Sequence, residues 1–375
     1  MNKLQTYIST HKKNTILFLL ILFGFLFITF FIFHDDILYK DTIIKISDTK
    51  NTYLSDKEGY DGRTEPTYQQ QITATIQNGK HKGEFVSFQN EYSYSEVASE
   101  KLHVGDKLFV KLTAADDGSL KASLLYEKRD SYLFLLLLVF VILLLLCIKK
   151  QGFFILLSLL INVGTFFYFL KTNKIDDFLD WIWIIEVLCF CIITLLFVSG
   201  FHKKTFGAIL STLFVVGIVT LLYQLTLYHN SDIPYDMLPC MIAYLPLDKL
   251  FFISTIFGLL GAVMDVAITM NTAVSELVAT TAQLSFRSVI SSLLEIGHDI
   301  MGTMVSVLFF SYLSGSFPLI VLKVSNDYNF STIVSVDYIF DIIRFLVGSI
   351  GIVLSIPVSG LIAILIFRKG LVHKK

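Results

Sequence analysis

The sequence predicts an α-helical polytopic membrane protein of about eight transmembrane helices, with a small extracytoplasmic β-barrel domain (OB or SH3-like) between helices 1 and 2. Hydrophobic residues make up 54% of the 375 residues and charged residues only 16%, which a soluble fold of this size does not need. Eight apolar runs are long enough to cross a bilayer, and a polar stretch between the first two alternates with the period of β-strands. The net charge of −1 offers no basic surface for nucleic acid. The apolar runs make the lipid bilayer the expected partner.

Each apolar run has about 20 residues or more, the length that spans about 30 Å of hydrocarbon. The runs cover residues 15–33, 131–148, 153–170, 181–199, 205–228, 249–274, 301–322 and 339–367. The first follows two lysines like a signal peptide, but its apolar core is too long and no small-x-small cleavage site precedes His34. We interpret it as an uncleaved signal anchor, with a cleaved signal as the alternative. The predicted domains are a cytoplasmic N-terminus with its anchor helix (1–33), an extracytoplasmic β domain (34–130) and a seven-helix membrane domain (131–375).

Basic residues next to the spans predict the orientation, because cytoplasmic loops carry an excess of lysine and arginine. With the N-terminus inside, the cytoplasmic side carries twelve of them: Lys3, Lys12, Lys13, Lys149, Lys150, Lys203, Lys204, Arg287, Arg368, Lys369, Lys374 and Lys375. The opposite side carries four: Lys171, Lys174, Lys249 and Lys323. We therefore expect a multi-pass protein of the cell membrane with its N- and C-termini in the cytoplasm.

The stretch between the first two spans contains several short runs that alternate apolar and polar residues. These runs cover residues 71–76, 85–88, 107–112 and 120–124, and Gly-containing turns separate them. About five short strands in fewer than 100 residues favour a small Greek-key barrel, whereas the polar residues 47–66 are expected to form a loop or linker. The barrel lacks a basic face interleaved with aromatics, so a spacer or assembly role is favoured over a ligand-binding role.

A polar stripe runs through the sixth apolar run at helical spacing. Its members are small, polar or acidic and follow one another at steps of three or four residues: Ser254, Gly258, Gly261, Asp265, Thr269, Thr272 and Glu276. Hydrophobicity does not explain such a stripe, and an ionisable group at membrane depth costs about 2.5–3.5 kcal/mol on insertion scales. Intramembrane ionisable groups usually face a bundle interior or a watery cavity, so Asp265 marks a candidate functional site. Gly258 and Gly261 are also candidates for close helix packing.

A second polar group precedes the seventh run. Glu295, His298 and Asp299 stand at spacings of three and four, and Gly302 shares the face of the two carboxylates. The three side chains could converge on a divalent cation or pass protons, or the two acids could cap a helix N-terminus with Arg287 as a salt partner. Residues 277–297 carry apolar residues at helical spacing and are expected to lie in the membrane interface as an elbow before the seventh span.

Several motifs resemble the YibE/F family of bacterial multitransmembrane proteins. The segments that carry the resemblance are Gly-Leu-Leu-Gly-Ala-Val-Met-Asp-Val-Ala (258–267), Ile-Gly-His-Asp-Ile-Met-Gly-Thr-Met (296–304), Ile-Thr-Ala-Thr-Ile-Gln-Asn-Gly-Lys-His-Lys-Gly (72–83) and Val-Gly-Asp (104–106). The β domain makes the chain similar to the longer, YibE-like member. The resemblance implies a bacterial membrane protein with a paralogous companion subunit, and it supplies no reaction. The positions carried over are Gly258, Gly261, Asp265, Asp299, Gly302 and Thr303. His298 departs from a family position that is commonly basic, which favours a charge pair with Asp299 or Glu295 over a metal-ligand role.

Two functional hypotheses follow from these residues. In the first, the protein is a transporter or permease, and Asp265, Glu295 and Asp299 line a shared cavity that moves an ion or small solute, with a divalent cation or proton as the coupling species and no other cofactor. In the second, it is a non-transporting receptor or assembly scaffold that acts through its β domain. The sequence contains no catalytic signature such as His-Glu-x-x-His, so an enzyme is not expected and an intramembrane hydrolase ranks last.

Overall fold

The computed structural model describes residues 24, 27–32, 35–58, 64–96, 99–114, 120–229, 235, 246–280 and 286–372. The chain divides into two compact units, Met1–Leu146 and Cys147–Lys375, and each is described by itself. Within the predicted signal anchor, residues 27–32 are helical and most of the remainder lies outside the described residues. The first predicted span is therefore left without a structural test over most of its length.

The first unit contains a closed barrel of five strands. They are β1 (Thr42–Glu58), β2 (Thr64–Ile76), β3 (Phe85–Ser93), β4 (Lys107–Ala114) and β5 (Leu120–Glu127). Their order around the barrel is β1-β2-β3-β5-β4, with β4 closing antiparallel on β1 and β5 parallel to β3. This is the Greek-key order of an OB barrel, and it confirms the predicted β-barrel domain.

The barrel core follows the period-two pattern that the sequence contains. In β2, Ile72, Ala74 and Ile76 are buried while the residues between them point outward. They pack with side chains from the other strands and from the segment before β4, including Ile44, Ile46, Val86, Leu102, Leu108 and Val110. The alternation is readable from sequence because each strand buries only one face.

The prediction of a loop at residues 47–66 is wrong for most of its length. The strand β1 runs to Glu58 and β2 begins at Thr64, and the two pair as far as Glu58 opposite Thr64. Beyond Ile46 the side chains of β1 are exposed or half-buried on both faces of this ribbon. A ribbon that buries neither face has no apolar alternation, so its sequence resembles a loop.

A buried ionic group, here called the Lys128 cluster, joins residues before β1 to residues after β5. It consists of Asp35, Tyr39, Lys128 and Asp130, and the Lys128 side chain is completely buried. Its Nζ atom donates to Asp35 Oδ1 at 2.7 Å and to Asp130 Oδ1 at 2.9 Å. The ammonium also lies 4.9 Å from the Tyr39 ring centroid, and the Tyr39 hydroxyl donates to Asp130 Oδ2. Two carboxylates therefore compensate one buried cation.

The Lys128 cluster is expected to make the stability of the barrel fall at alkaline pH. Burial works against a charged Lys128, but its hydrogen bonds to Asp35 and Asp130 outweigh burial and raise the pKa of the ammonium. The hydrogen bond to Asp130, followed by burial, raises the pKa of Tyr39. Both groups hold their protons more tightly in the folded protein than in the unfolded chain. Their contribution to the stability of the barrel is therefore complete below their ordinary pKa values, about 10, and is lost as the pH rises above these values. We expect hydrogen exchange of the barrel amides to show stability falling above about pH 10, and a stability unchanged from about pH 9 to 11 would contradict this.

Seven helices in the described part of the chain are long and apolar enough to span a membrane. They are α1 (Asp130–Ile148), α2 (Lys150–Thr172), α3 (Ile175–Ser199), α4 (Lys203–His229), α5 (Leu247–Thr280), α6 (Phe286–Ser325) and α7 (Ile339–Val372). Each corresponds to one predicted run from residue 131 onward. The fold class is thereby confirmed as a polytopic helical membrane protein with a β domain, and α3 begins irregularly, with a π-helical turn over Phe178–Ile182.

In the second unit α5 packs against α3, α4, α6 and α7. Half of its most apolar window is buried, whereas only 6% of the corresponding window of α6 is buried. The α5 residues Val263, Val266 and Met270 are completely buried. The helix α5 is therefore the centre of the helical unit, and α6 lies at its periphery.

A polar clamp joins α4 to α5. Asn271 of α5 is completely buried, and its Nδ2 donates to Ala267 O at 2.9 Å and to Ser211 Oγ of α4 at 3.3 Å. A Cβ atom at Gly207 would lie 2.1 Å from Asn271 Oδ1, so only glycine admits this amide. The close approach brings Oδ1 against the α4 backbone, the arrangement by which small and polar residues associate helices in membranes.

The predicted interfacial elbow at 277–297 is not a separate element. Residues from Phe286 onward belong to one helix of 40 residues that includes the predicted seventh span. Val289 and Leu293 are buried and pack with Val266 of α5 and Ile356 of α7 in one cluster. The apolar side of this segment was therefore correctly recognised, and its residues Val289 and Leu293 contact protein.

Candidate functional site

The stripe on α5 lies mainly on the outside of the helical unit. Four of its members are exposed: Gly258, Gly261, Asp265 and Glu276. Three are half-buried: Ser254, Thr269 and Thr272. The Thr269 hydroxyl donates to the backbone oxygen of Asp265 at 2.8 Å. The core residues of α5 occupy the opposite side of the helix, so most of the stripe is exposed, and α6 and α7 contact it only near Gly258 and Ser254.

The predicted residues of α6 are exposed as well: Glu295, His298, Asp299, Gly302 and Thr303. The Thr303 hydroxyl donates locally to Ile300 O at 2.9 Å. Among the described residues, no group of three or more His, Cys, Asp or Glu side chains could hold a metal ion. Glu295, His298 and Asp299 therefore do not converge as a ligand set, and the metal alternative gains no support from their geometry.

One contact places the stripe side of α5 next to α6. A Cβ atom at Gly258 would lie 2.5 Å from the Tyr312 hydroxyl oxygen of α6, so the stripe side of α5 faces α6 at this level. His298 precedes Tyr312 by close to four helical turns and is on a similar side of α6. Asp265 is on nearly the same side of α5 as Gly258. We call the exposed residues Gly261, Asp265 and Glu276 of α5, with Glu295, His298, Asp299 and Gly302 of α6, the acidic face. Of its α6 members, His298 is on the side of Tyr312, whereas Asp299 is about 140° around the helix from Tyr312.

The carboxylates of Asp265 and Asp299 lie at comparable depth. Because α5 ends at Thr280 and the next helix begins at Phe286, the two helices form a hairpin. At about 1.5 Å per residue, each aspartate is roughly 20 Å along its helix from the hairpin connection. By this measure Asp299 lies within about one helical turn of the Asp265 level, whereas the predicted run 301–322 left Asp299 outside the seventh span.

The glycines of the two helices have different surroundings. Gly258 admits the Tyr312 hydroxyl, which agrees with close packing at that position. A Cβ atom at Gly261 or Gly302 would meet no atom within 4 Å. Packing inside this chain therefore explains Gly258, while Gly261 and Gly302 leave open space on the acidic face.

Sequence reasoning missed an ionic group beside one end of the stripe. Arg344 of α7 donates through Nη1 to Asp341 Oδ1 at 3.1 Å and through Nη2 to Ser254 Oγ at 3.4 Å. The Ser316 hydroxyl of α6 donates to Asp341 Oδ2, and the guanidinium lies 4.9 Å from the Phe251 ring centroid. This group ties α5, α6 and α7 together. The signal available in the sequence was an acid and a base three residues apart at the start of the last span.

A row of tyrosines crosses three strands of the barrel. Tyr53 of β1 pairs with Tyr68 of β2, which pairs with Tyr92 of β3. The Tyr68 and Tyr92 rings stack with centroids 5.3 Å apart, and Lys101 Nζ lies 5.9 Å from the Tyr92 centroid. Tyr53 is 59% exposed, so the row begins at a solvent-facing aromatic ring.

The amino-terminal OB barrel, the seven long apolar helices and the intramembrane polar residues define a polytopic membrane protein with a β domain between its amino-terminal segment and its helical unit. The chain belongs to the YibE/F family: the profile described as YibE/F-like protein matches residues 136–369, and the YibE/F family N-terminal domain matches residues 37–126. The resemblance inferred from the motifs is thereby confirmed. Neither the search of curated proteins nor the search of solved structures gives a match.

Proposed function

We propose that this protein is a permease of the bacterial cell membrane that moves an ion or small solute along the acidic face. The observation that carries the proposal is the exposure of Asp265 and Asp299 at comparable depth on adjacent apolar helices. Each carboxylate would cost about 2.5–3.5 kcal/mol against lipid. A water-filled path beside the face removes this cost, since a hydrated ion or polar solute then replaces lipid.

The spacing of the acidic face suits stepwise movement. From Asp265, the half-buried Thr269 and Thr272 lead to Glu276 near the hairpin end of α5, and Glu295 accompanies them on α6. Successive oxygen groups are about one helical turn, or about 5.4 Å, apart, a distance over which a cation or proton can pass between sites. In the proposed orientation both termini are cytoplasmic, the hairpin end faces the cytoplasm and the barrel lies outside.

The open space at Gly261 and Gly302 supports a second wall for this path. A paralogous companion of the same family is the proposed subunit that supplies it, because small residues permit close approach of another helix. Energy would come from an ion gradient or from the companion, since the sequence carries no ATP-binding signature. The proposed solute is a proton, a metal cation or a small polar molecule.

The test is ion and solute flux in proteoliposomes that contain the full chain, with its companion where the two copurify. Asp265→Asn is expected to reduce flux at least about tenfold, because loss of a charge from an ion site costs more than about 1.4 kcal/mol. Asp176→Asn, which removes an exposed acid from the start of α3, is the matched control and should leave flux unchanged. Equal flux for wild type and Asp265→Asn across protons, metal cations and common solutes would remove the proposal.

The tyrosine row favours a second candidate, a receptor or assembly scaffold that acts through its barrel. Aromatic rings on an OB barrel provide a stacking surface for an extracellular ligand or partner. This candidate requires the opposite pattern of effects. Deleting residues 40–125 would abolish function in cells while Asp265→Asn would be tolerated, whereas the permease proposal expects Asp265→Asn to reduce function at least about tenfold.

A further inference from the structure

Glu186 of α3 is a carboxylic acid in the interior of the helical unit. The residue has no exposed surface. The Thr165 hydroxyl oxygen of α2 lies 3.0 Å from Glu186 Oε1 and 2.9 Å from the backbone oxygen of Asn162, so its single hydrogen is divided between two acceptors. The second oxygen, Oε2, is buried and has no hydrogen-bond partner. One carboxylate oxygen thus shares a neutral donor with a backbone carbonyl, and the other has no donor.

The surroundings of Glu186 are apolar. Phe190 stands one turn further along α3, and its ring lies 5.6 Å from the ring of Phe257 on α5. The Phe166 ring of α2, next to Thr165 in sequence, lies 6.4 Å from the same Phe257 ring. Aromatic side chains from three helices therefore meet about one helical turn from Glu186, and the second carboxyl oxygen is buried.

The helices that pack against α3 bring no positive charge to this level. Charged residues are absent between Lys150 and Lys171 on α2, between Lys204 and the end of α4, and between Lys249 and Asp265 on α5. The charged residues that bound these intervals on α5 are eight residues from Phe257, about 12 Å along the helix.

Two neutral titratable side chains belong to the same region. Cys189 lies on α3 itself, three residues after Glu186. Tyr223 of α4 stacks on Phe252, which contacts Trp183 one turn before Glu186. A thiol and a phenol are acids and supply no cation, so they do not compensate an ionised carboxylate.

A second unpartnered oxygen lies in the same helix pair. Asn162 of α2 is almost one turn before Thr165, and its Nδ2 donates to Thr194 Oγ1 of α3 at 2.8 Å. Its Oδ1 is buried without a hydrogen-bond partner. The interface between α2 and α3 therefore holds two acceptor oxygens without donors. A proton bound to Glu186 would remove one of them and create a donor.

We propose that Glu186 is a proton-binding site of the membrane domain, occupied by a proton at neutral pH. An ionised carboxylate that is buried without a countercharge costs several kcal/mol, and carboxyl groups in such places take up a proton instead. The bound proton adds to Oε2, while Oε1 continues to accept from Thr165. Release returns the carboxylate when the α2–α3 interface opens to water. The site is separate from the acidic face, and the proposal does not depend on transport along it.

Carbodiimide chemistry tests the protonation state in the full-length protein in native membranes. Dicyclohexylcarbodiimide takes the proton of a carboxylic acid on nitrogen, and the carboxylate oxygen bonds to its central carbon. The adduct rearranges to a stable N-acylurea that mass spectrometry locates in a peptide. Glu186 is expected to be labelled at pH 7, with labelling that falls as the pH becomes strongly alkaline. The Glu186→Gln variant serves as the blank.

Asp176 at the start of the same helix is the internal control, because it is exposed. A solvent-exposed aspartate is protonated to only about one part in a thousand at pH 7, so labelling of Glu186 should exceed that of Asp176 about a hundredfold. Protection of Glu186 by sodium or another metal cation at constant pH would overturn the proposal, since the bound species would then be that cation.

Infrared spectroscopy decides the case in which the reagent fails to reach Glu186. A protonated carboxyl group has a carbonyl stretch separate from that of a carboxylate, and this band should be present in the wild type at pH 7 and absent from Glu186→Gln. Because glutamine is neutral like the protonated acid, Glu186→Gln should also keep the thermal stability of the wild type. Absence of the carbonyl band from the wild type would overturn the proposal whatever the labelling result.

Discussion

Replacing Lys128 with methionine is expected to lower the unfolding free energy of the barrel by about 3–5 kcal/mol. Methionine keeps most of the volume of the side chain but removes the ammonium that both Asp35 and Asp130 contact. The two carboxylates would then lie close together, with the Tyr39 hydroxyl as a donor to both and the Ser131 N–H as a donor to Asp130. A buried charge that loses its partner is far more costly than an exposed one, and the Lys128 side chain has no exposed surface.

Hydrogen exchange of the strand amides in the full-length protein measures this effect, because exchange through global opening reports the unfolding free energy. Lys111→Met in β4 is the matched control: Lys111 is exposed, so its loss should change stability by no more than about 0.5 kcal/mol. Similar exchange rates in the two variants would show that the Lys128 cluster does not hold the ends of the barrel together.

Replacing Gly207 with alanine is expected to destabilise the helical unit by about 1–3 kcal/mol. The new Cβ atom would lie 2.1 Å from Asn271 Oδ1 and 3.0 Å from Ile366 Cδ1. Asn271 cannot move without losing its hydrogen bonds to Ala267 and Ser211, and it is buried on every side. Unfolding of the full-length protein in mixed micelles titrated with a denaturing detergent gives the free-energy difference.

Two variants separate this clash from a general effect of alanine. Gly217→Ala on the same helix meets no atom within 4 Å, so it should be neutral or stabilising by up to about 1 kcal/mol. The double variant Gly207→Ala with Asn271→Ala removes the clash. The stability losses of the two single variants should therefore sum to about 0.5–3 kcal/mol more than the loss in the double variant. Strict additivity of the two substitutions would contradict a direct contact between these residues.

Much of the fold could be predicted because its signals are local. The apolar runs identify the membrane helices, and the alternation in Ile72, Ala74 and Ile76 identifies β2. The end of β1 was missed because residues after Ile46 bury neither face of the ribbon. The start of α6 was misplaced because its apolar side, with Val289 and Leu293, looks the same whether it meets lipid headgroups or another helix.

The candidate site was predictable in part. Helical spacing in the sequence identified Asp265 and its stripe, and hydropathy showed that this residue is at membrane depth. Spacing could not show that the stripe points away from the bundle core, because direction depends on which side α4 and α7 occupy. Glu186 was overlooked for a related reason, since a single acid in an apolar run has no spacing pattern.

The sequence by itself determined the class of protein, the number and position of most membrane helices, the strand-rich domain and the residues of the polar stripe. All of these depend on residue type and on the periods of helix and strand, which are local properties. The tertiary structure decided which polar side chains are buried and what compensates them. Lys128 and Asp35 are 93 positions apart, and Asn271 and Ser211 are 60 apart. Contacts across such separations arise only when the helices and strands pack, so no local pattern records them.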